Sequence, residues 1–185
     1  MTKHELRIEY RNIRNKIKLR EGKSELISRN LIRSDIFINC KEIFLYFPIG
    51  SEVATQTIFE ESIKRGKKVA FPKCIDVNGN MKFCFVDSLD ELKEGMYGIY
   101  EPDLYVSDTA IPKSDSLIIV PALAFDIEGY RLGYGKGYYD KYLSGYPCKT
   151  AGLAFDECVC HKLPHEIFDK KIDFLFTDKE IYCFE

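Results

Sequence analysis

Three short, unbroken apolar runs each stop at a proline: Ile43-Phe44-Leu45-Tyr46-Phe47 before Pro48, Val69-Ala70-Phe71 before Pro72, and Leu117-Ile118-Ile119-Val120 before Pro121. A strand with one wet face alternates apolar and polar residues. Unbroken runs are covered on both faces, which is the mark of a central parallel sheet. Proline ends such a run because it has no N–H for the ladder. Between the first two runs, Thr55 to Lys64 reads as a helix, and strand–helix–strand order predicts parallel βαβ units.

The remaining elements complete that scheme. Leu6, Tyr10, Ile13 and Ile17 recur at helical spacing, which predicts a helix from residue 3 to about 20, ended by Gly22. Ser24, Ile27 and Leu31 open a second helix. Asn78-Gly79, ahead of the run Met81 to Val86, predicts a hairpin on one edge of the sheet. Tyr138 to Leu143 reads as a helix, and Thr150–Phe155, Phe174–Phe176 and Ile181–Phe184 as strands. The expected fold is α/β: one three-layer domain over residues 1–185, with a mainly parallel sheet flanked by helices and an edge hairpin. In such sheets ligands bind beyond the carboxyl ends of the strands. Glu52 and the segment after Pro121 both fall on that edge.

Composition narrows the function. A net charge of −2 gives no global pull toward nucleic acid or a membrane, so any anion site must be a local cluster of cations. No apolar run reaches the roughly 18 residues needed to span a bilayer. Seven cysteines, an odd number without framework spacing, predict free thiols in a reducing cytoplasm. Cys158-x-Cys160-His161 lacks the spacing and the second ligand pair of a zinc site, and reads as packed thiols. On the first helix, seven cations (Lys3, Arg7, Arg11, Arg14, Lys16, Lys18 and Arg20) face two acids, Glu5 and Glu9. Most of those cations read as solvated.

The chemistry concentrates in Arg131-Leu132-Gly133-Tyr134-Gly135-Lys136-Gly137-Tyr138-Tyr139-Asp140. Alternate glycines let backbone N–H groups approach a ligand. Arg131 and Lys136 add positive charge, and Asp140 a carboxylate suited to Mg²⁺, the mixture that a polyphosphate needs. The pattern is neither the dinucleotide fingerprint, since Tyr138 stands at the third glycine, nor a Walker A loop, since no Ser or Thr follows Lys136.

The stretch from Pro121 to Asp140 resembles the signature of the 5-formyltetrahydrofolate cyclo-ligases, also called methenyltetrahydrofolate synthetases. Lys3-His4-Glu5-Leu6-Arg7 is similar to that family's K-x-x-L-R opening, which contacts ATP. Gly50-Ser51-Glu52-Val53-Ala54-Thr55 resembles its G-x-E-x-x-T segment, whose Glu binds folate, and Phe47 falls at another substrate-lining position. Leu163 to Asp169 and Asp173 to Thr177 are similar to its closing pattern.

The resemblance implies ATP-dependent closure of 5-formyltetrahydrofolate to 5,10-methenyltetrahydrofolate, with release of ADP and phosphate through a phosphorylated formyl group. It implies ATP binding by Lys3 to Arg7 and by Arg131 to Tyr139, with Lys136 and Arg131 supporting catalysis. Other members carry glycine at the Lys136 position, so Lys136 assists rather than defines the site. Glu52 and Phe47 would receive the folate, with one of Tyr134, Tyr138 or Tyr139 as a flat surface for a ring. Asp140 and Asp173 would hold Mg²⁺. We expect a cytoplasmic monomer acting on small molecules, with no nucleic-acid or membrane partner.

Two other readings fit parts of the sequence. The cations of the first helix and the tyrosine-rich loop would suit an RNA- or nucleotide-binding module. The fold alone would also suit a sugar-phosphate isomerase or an acyl-CoA transferase. The acids elsewhere and the absence of a recognised RNA-binding motif weigh against the first, and neither enzyme of the second would need the N-terminal K-x-x-L-R together with the distant glycine loop.

Overall fold

The computed structural model describes residues 1–104 and 107–184. In chain order, α1 (Lys3–Lys16), α2 (Arg20–Arg33) and α3 (Asp35–Asn39) precede β1 (Glu42–Phe44), α4 (Gln56–Lys64), β2 (Lys68–Cys74) and β3 (Met81–Val86). Short strands β4 (Lys93–Glu94), β5 (Tyr100–Glu101) and β6 (Thr109–Ala110) follow. Then come β7 (Ser116–Val120), β8 (Ala124–Asp126), β9 (Arg131–Leu132), α5 (Tyr138–Leu143), β10 (Lys149–Leu153), β11 (Val159–Cys160), β12 (Phe174–Phe176) and β13 (Ile181–Cys183).

The main sheet has eight strands in the order β13-β12-β10-β7-β1-β2-β3-β6. Its centre, β12 to β2, is parallel, and β13, β3 and β6 add antiparallel edges. This is the expected sheet with its edge hairpin, the β2–β3 turn holding Gly79 at φ +85°.

Alternate residues of the central runs feed two cores. Ile43, Leu45, Val69, Phe71, Leu117 and Ile119 meet α2, α3 and α4. Phe44, Ala70, Ile118 and Val120 meet Phe125 of β8 and, at the margin, the tyrosines of α5. Seven phenylalanines are at most 1% exposed (Phe37, Phe44, Phe71, Phe83, Phe125, Phe155 and Phe176). At about 1.5–3 kcal/mol for each buried side chain, this packing holds the layers together.

Three local expectations need correction. Helix α1 stops at Lys16, and α2 begins at Arg20 with Gly22 inside its first turn. The break is tertiary in origin: Ile17 turns to extended backbone and packs on the core, while exposed Leu19 takes a left-handed conformation at φ 56°. Second, β2 runs through Pro72. Ala70 turns its carbonyl to Leu45, so Pro72, two residues on, faces the side where β1 has stopped pairing and needs no N–H. Third, the outer layer beyond the second core is α5 with a small sheet in the order β11-β8-β9, rather than helices alone. Helix α1 lies against that small sheet through Leu6 and Tyr10, beside Leu123, Leu132 and Leu163.

Candidate active site

After Val120 the chain leaves the carboxyl end of β7, runs through β8, turns at 127–130 and returns along β9 to the glycine loop. Buried Asp126 fixes this hairpin. It accepts N–H bonds from Glu128 (3.0 Å) and Tyr130 (2.9 Å), and from Leu163 (2.9 Å) of the closing segment. In the loop, Gly135 sits at φ +95° and Gly137 at +71°. Gly135 is required twice over, because a Cβ there would also stand 3.1 Å from Cζ of Arg7. Arg7 covers the loop, and its Nε donates to the Gly133 carbonyl at 2.9 Å.

The rest of the N-terminal motif divides its labour. Lys3 pairs with Asp169 at 2.6 Å and Glu166 at 3.4 Å, tying α1 to the closing segment. Those partners raise the Lys3 pKa against the opposing effect of burial. Glu5 forms a capping box with Thr2, Leu6 packs near Leu132, and His4 is exposed. Lys136 is exposed, its ammonium 5.7 Å from the ring centre of Tyr97.

Arg131 and Asp140 form a buttress beside the loop. The Arg131 side chain is 3% exposed and donates to Asp140 (2.6 Å) and to the Lys170 carbonyl (2.7 Å). Burial pulls its pKa down, and Asp140 opposes that. Both arms of the Arg131 fork are thus engaged within the protein, one on Asp140 and one on the Lys170 carbonyl. Asp173 is anchored to Thr150, while Asp140 is paired with Arg131. The Asp173 carboxylate accepts from Thr150 N (2.8 Å) and Oγ1 (2.7 Å), where β10 and β12 begin, at the amino end of the sheet opposite the loop.

The folate-side expectation centres on Glu52, whose side chain is 4% exposed. It accepts from Ile49 N at 2.8 Å and from the Tyr134 hydroxyl, with Arg14 Nη1 at 3.9 Å. Burial raises its pKa, opposed by Tyr134, by the Ile49 N–H and by Arg14. Arg14 itself is buried. It donates from Nε to Ser51 Oγ (3.1 Å), from Nη1 to the Ala122 carbonyl (3.0 Å) and from Nη2 to the Tyr134 hydroxyl (2.9 Å). A cavity of about 10 Å³, room for one water, remains between Arg14, Glu52, Tyr46 and apolar Val53, Leu153 and Phe155.

The aromatic residues also separate. Tyr134 turns to Glu52. Tyr138 gives its hydroxyl to the Asp76 carbonyl of the hairpin, and Tyr139 packs into the second core with its hydroxyl buried and, among the described residues, unpartnered. Of the three tyrosines, Tyr134 alone is joined to Glu52. Phe47 is half-buried against Tyr100, ring centres 5.1 Å apart. Sequence reasoning missed Arg14, Tyr97 and Tyr100. For Arg14 a signal existed: it follows Tyr10 by four residues and falls on the apolar stripe of α1, not on the solvated face. Among the described residues no three His, Cys, Asp or Glu side chains group as a metal cage, and no helix is long and apolar enough to cross a membrane.

Known proteins resemble this chain in both structure and sequence. Among solved structures, 5,10-methenyltetrahydrofolate synthetase from Aquifex aeolicus superposes with a TM-score of 0.86 at 34% identity, covering 99% of this chain and 93% of that one. A synthetase of the same name from Mycoplasma pneumoniae (TM-score 0.76, 23% identity, 96% and 99% covered) shares the fold. Among sequences, the 5-formyltetrahydrofolate cyclo-ligase of Mus musculus is 31% identical over 81% of this chain and 79% of its own. That of Escherichia coli K12 is 32% identical over 76% and 78%. The family model described as 5-formyltetrahydrofolate cyclo-ligase family matches residues 1–178, and the chain belongs to that family of enzymes.

Proposed function

We propose that the protein closes 5-formyltetrahydrofolate to 5,10-methenyltetrahydrofolate while splitting ATP to ADP and phosphate. The chemistry explains the need for ATP. An N-formyl oxygen is a poor leaving group and the folate N10 amine a weak nucleophile. Attack of the formyl oxygen on the γ-phosphorus expels ADP and leaves an O-phosphorylated iminium carbon. N10 then attacks that carbon and loses its proton, and the C–O bond breaks with phosphate as leaving group. The protein's contribution is positioning and charge stabilisation.

The observation that carries this proposal is the direct hydrogen bond between Tyr134 of the glycine loop and the buried carboxylate of Glu52. It joins a phosphate-type loop to an acid suited to a pterin's adjacent N–H donors. Arg7 and Lys136 are the loop's available cations. Mg²⁺ would be held by the phosphates with Asp140, since Mg²⁺ commonly takes only one or two protein carboxylates, and it would neutralise the developing phosphoryl charge. All seven cysteines are free thiols, which supports the cytoplasmic location we assign to a monomeric enzyme.

The test is to mix the protein with Mg-ATP and 5-formyltetrahydrofolate and follow the methenyl chromophore. Colour that requires both substrates and the metal is expected. Folate-independent ATP hydrolysis, with no chromophore, would remove the assignment.

A further inference from the structure

Among the residues of α1, only Arg14 is buried. Burying a guanidinium costs desolvation and the rotamer freedom of a long side chain. A leucine would anchor the helix without either cost. What Arg14 adds is connection: its acceptors Ser51 Oγ, Ala122 O and Tyr134 Oη come from three separate loops at the carboxyl edge of the sheet. Ser51 is further fixed by donating to Asn15 Oδ1 at 2.7 Å.

We propose that Arg14 is the positioning residue of the folate half of the site, holding Glu52 and Tyr134 where the pterin is received. This rests on the cyclo-ligase function proposed above. In the free chain Tyr134 occupies Glu52 Oε1, and the cavity beside them has room for one water only. A pterin that takes the place of the Tyr134 hydroxyl at Oε1 reaches the carboxylate, whose Oε2 stays bonded to Ile49 N. When it does, Arg14 keeps its bonds to Ser51 and Ala122 and stays near Oε1, so the carboxylate keeps its place and its charge. Arg14 acts through Glu52 and Tyr134, and every nitrogen of its fork is already engaged. A lysine offers one point charge in place of that planar fork, so it can restore only part of the arrangement.

The experiment compares the unmutated chain with Arg14→Met and Arg14→Lys. It uses calorimetric titration with 5-formyltetrahydrofolate alone, and KM for each substrate. Arg14→Met is expected to weaken folate binding by about ten- to a hundredfold, with the KM for ATP unchanged and Arg14→Lys in between. In a Glu52→Gln background the same substitution should add less than about twofold, because both act on one contact. Full folate affinity in Arg14→Met, independent losses in the double variant, or equal rises in both KM values would overturn the proposal. Should Arg14→Met fail to fold, Arg14→Lys decides: unchanged folate affinity overturns, and severalfold weakening with normal KM for ATP supports. If the unmutated chain binds no 5-formyltetrahydrofolate, the function itself falls and this inference with it. Binding by the unmutated chain that Arg14→Met retains sinks the inference alone.

Discussion

Arg7 and Arg14 stand two turns apart on one face of α1, and the molecule uses them differently. Arg7 spends Nε on Gly133 O, and among the described residues its terminal nitrogens donate to nothing. Arg14 is buried with all three nitrogens engaged. The half of the site around the glycine loop thus keeps unspent positive charge at its surface, as a polyphosphate requires. In the half around Glu52 both carboxylate oxygens and all three Arg14 nitrogens already have partners within the protein. A change at Arg7 should alter binding with little effect on folding. Changes in the half around Glu52 should couple the two.

The largest effect is expected at Asp140, which tests whether the loop half is as independent of the fold as Arg7 suggests. Asp140→Asn should lower turnover by about a hundredfold or more, the scale of losing one preorganised electrostatic contact. It should also lower stability by about 1–3 kcal/mol, because Arg131 is buried and loses its charged partner. Turnover is followed at limiting and saturating Mg²⁺, and unfolding by denaturant. Lost stability with normal turnover at both levels would make Asp140 a buttress only.

Glu52→Gln probes the other half and separates binding from folding. Gln supplies one acceptor and one competing donor, so folate binding should weaken by about ten- to a hundredfold while ATP binding alone is unchanged. Stability should move the opposite way. Burial raises the Glu52 pKa above its ordinary 4.5, so the native state binds more protons there than the unfolded chain does. Stability is then highest below about 4.5 and falls as pH climbs from there to the raised folded value, where it levels off. The Gln variant lacks this decline. Its melting temperature should exceed that of the unmutated chain at neutral pH and match it in acid. Equal melting temperatures at neutral pH would mean that Ile49, Tyr134 and Arg14 fully offset the burial.

Arg7→Ala should raise the KM for ATP about five- to tenfold, roughly 1 kcal/mol for a charge-assisted contact at a half-exposed site, and leave the KM for folate alone. Stability should stay within about 0.5 kcal/mol. A larger rise for folate would place both arginines in one half and dissolve the contrast.

Much of the fold was legible because its signals are local. Buried strands show as unbroken apolar runs, the edge hairpin as Asn78-Gly79, and α4 as a periodic segment. The contrast between the arginines was not legible, since cations on one helix look alike. The partners that bury Arg14 lie 37, 108 and 120 residues away along the chain. The inward turn of Arg131 and the anchoring of Asp173 to Thr150 are likewise decided by distant neighbours. Tyr97 and Tyr100 belong to an excursion with no periodic pattern, and only the folded sheet edge brings them to Lys136 and Phe47.

The smallest effect concerns the joint that aims both arginines. Leu19 links α1 to α2 with left-handed backbone, and its side chain is 84% exposed, so it contributes little packing to offset the strain. A left-handed conformation costs an ordinary residue about 1–2 kcal/mol. Glycine removes that cost but gives back roughly 0.5–1 kcal/mol through the greater freedom of its unfolded chain. Leu19→Gly should therefore stabilise the protein by at most about 1.5 kcal/mol, read as a small rise in denaturation midpoint at constant m. Because Ile17 is packed on the core, α1 should keep its direction, and neither KM should change. A shift in the KM for ATP alone would show that the turn, and not the packing of Ile17, holds Arg7 over Gly135. A shift in both would show that it aims the whole helix.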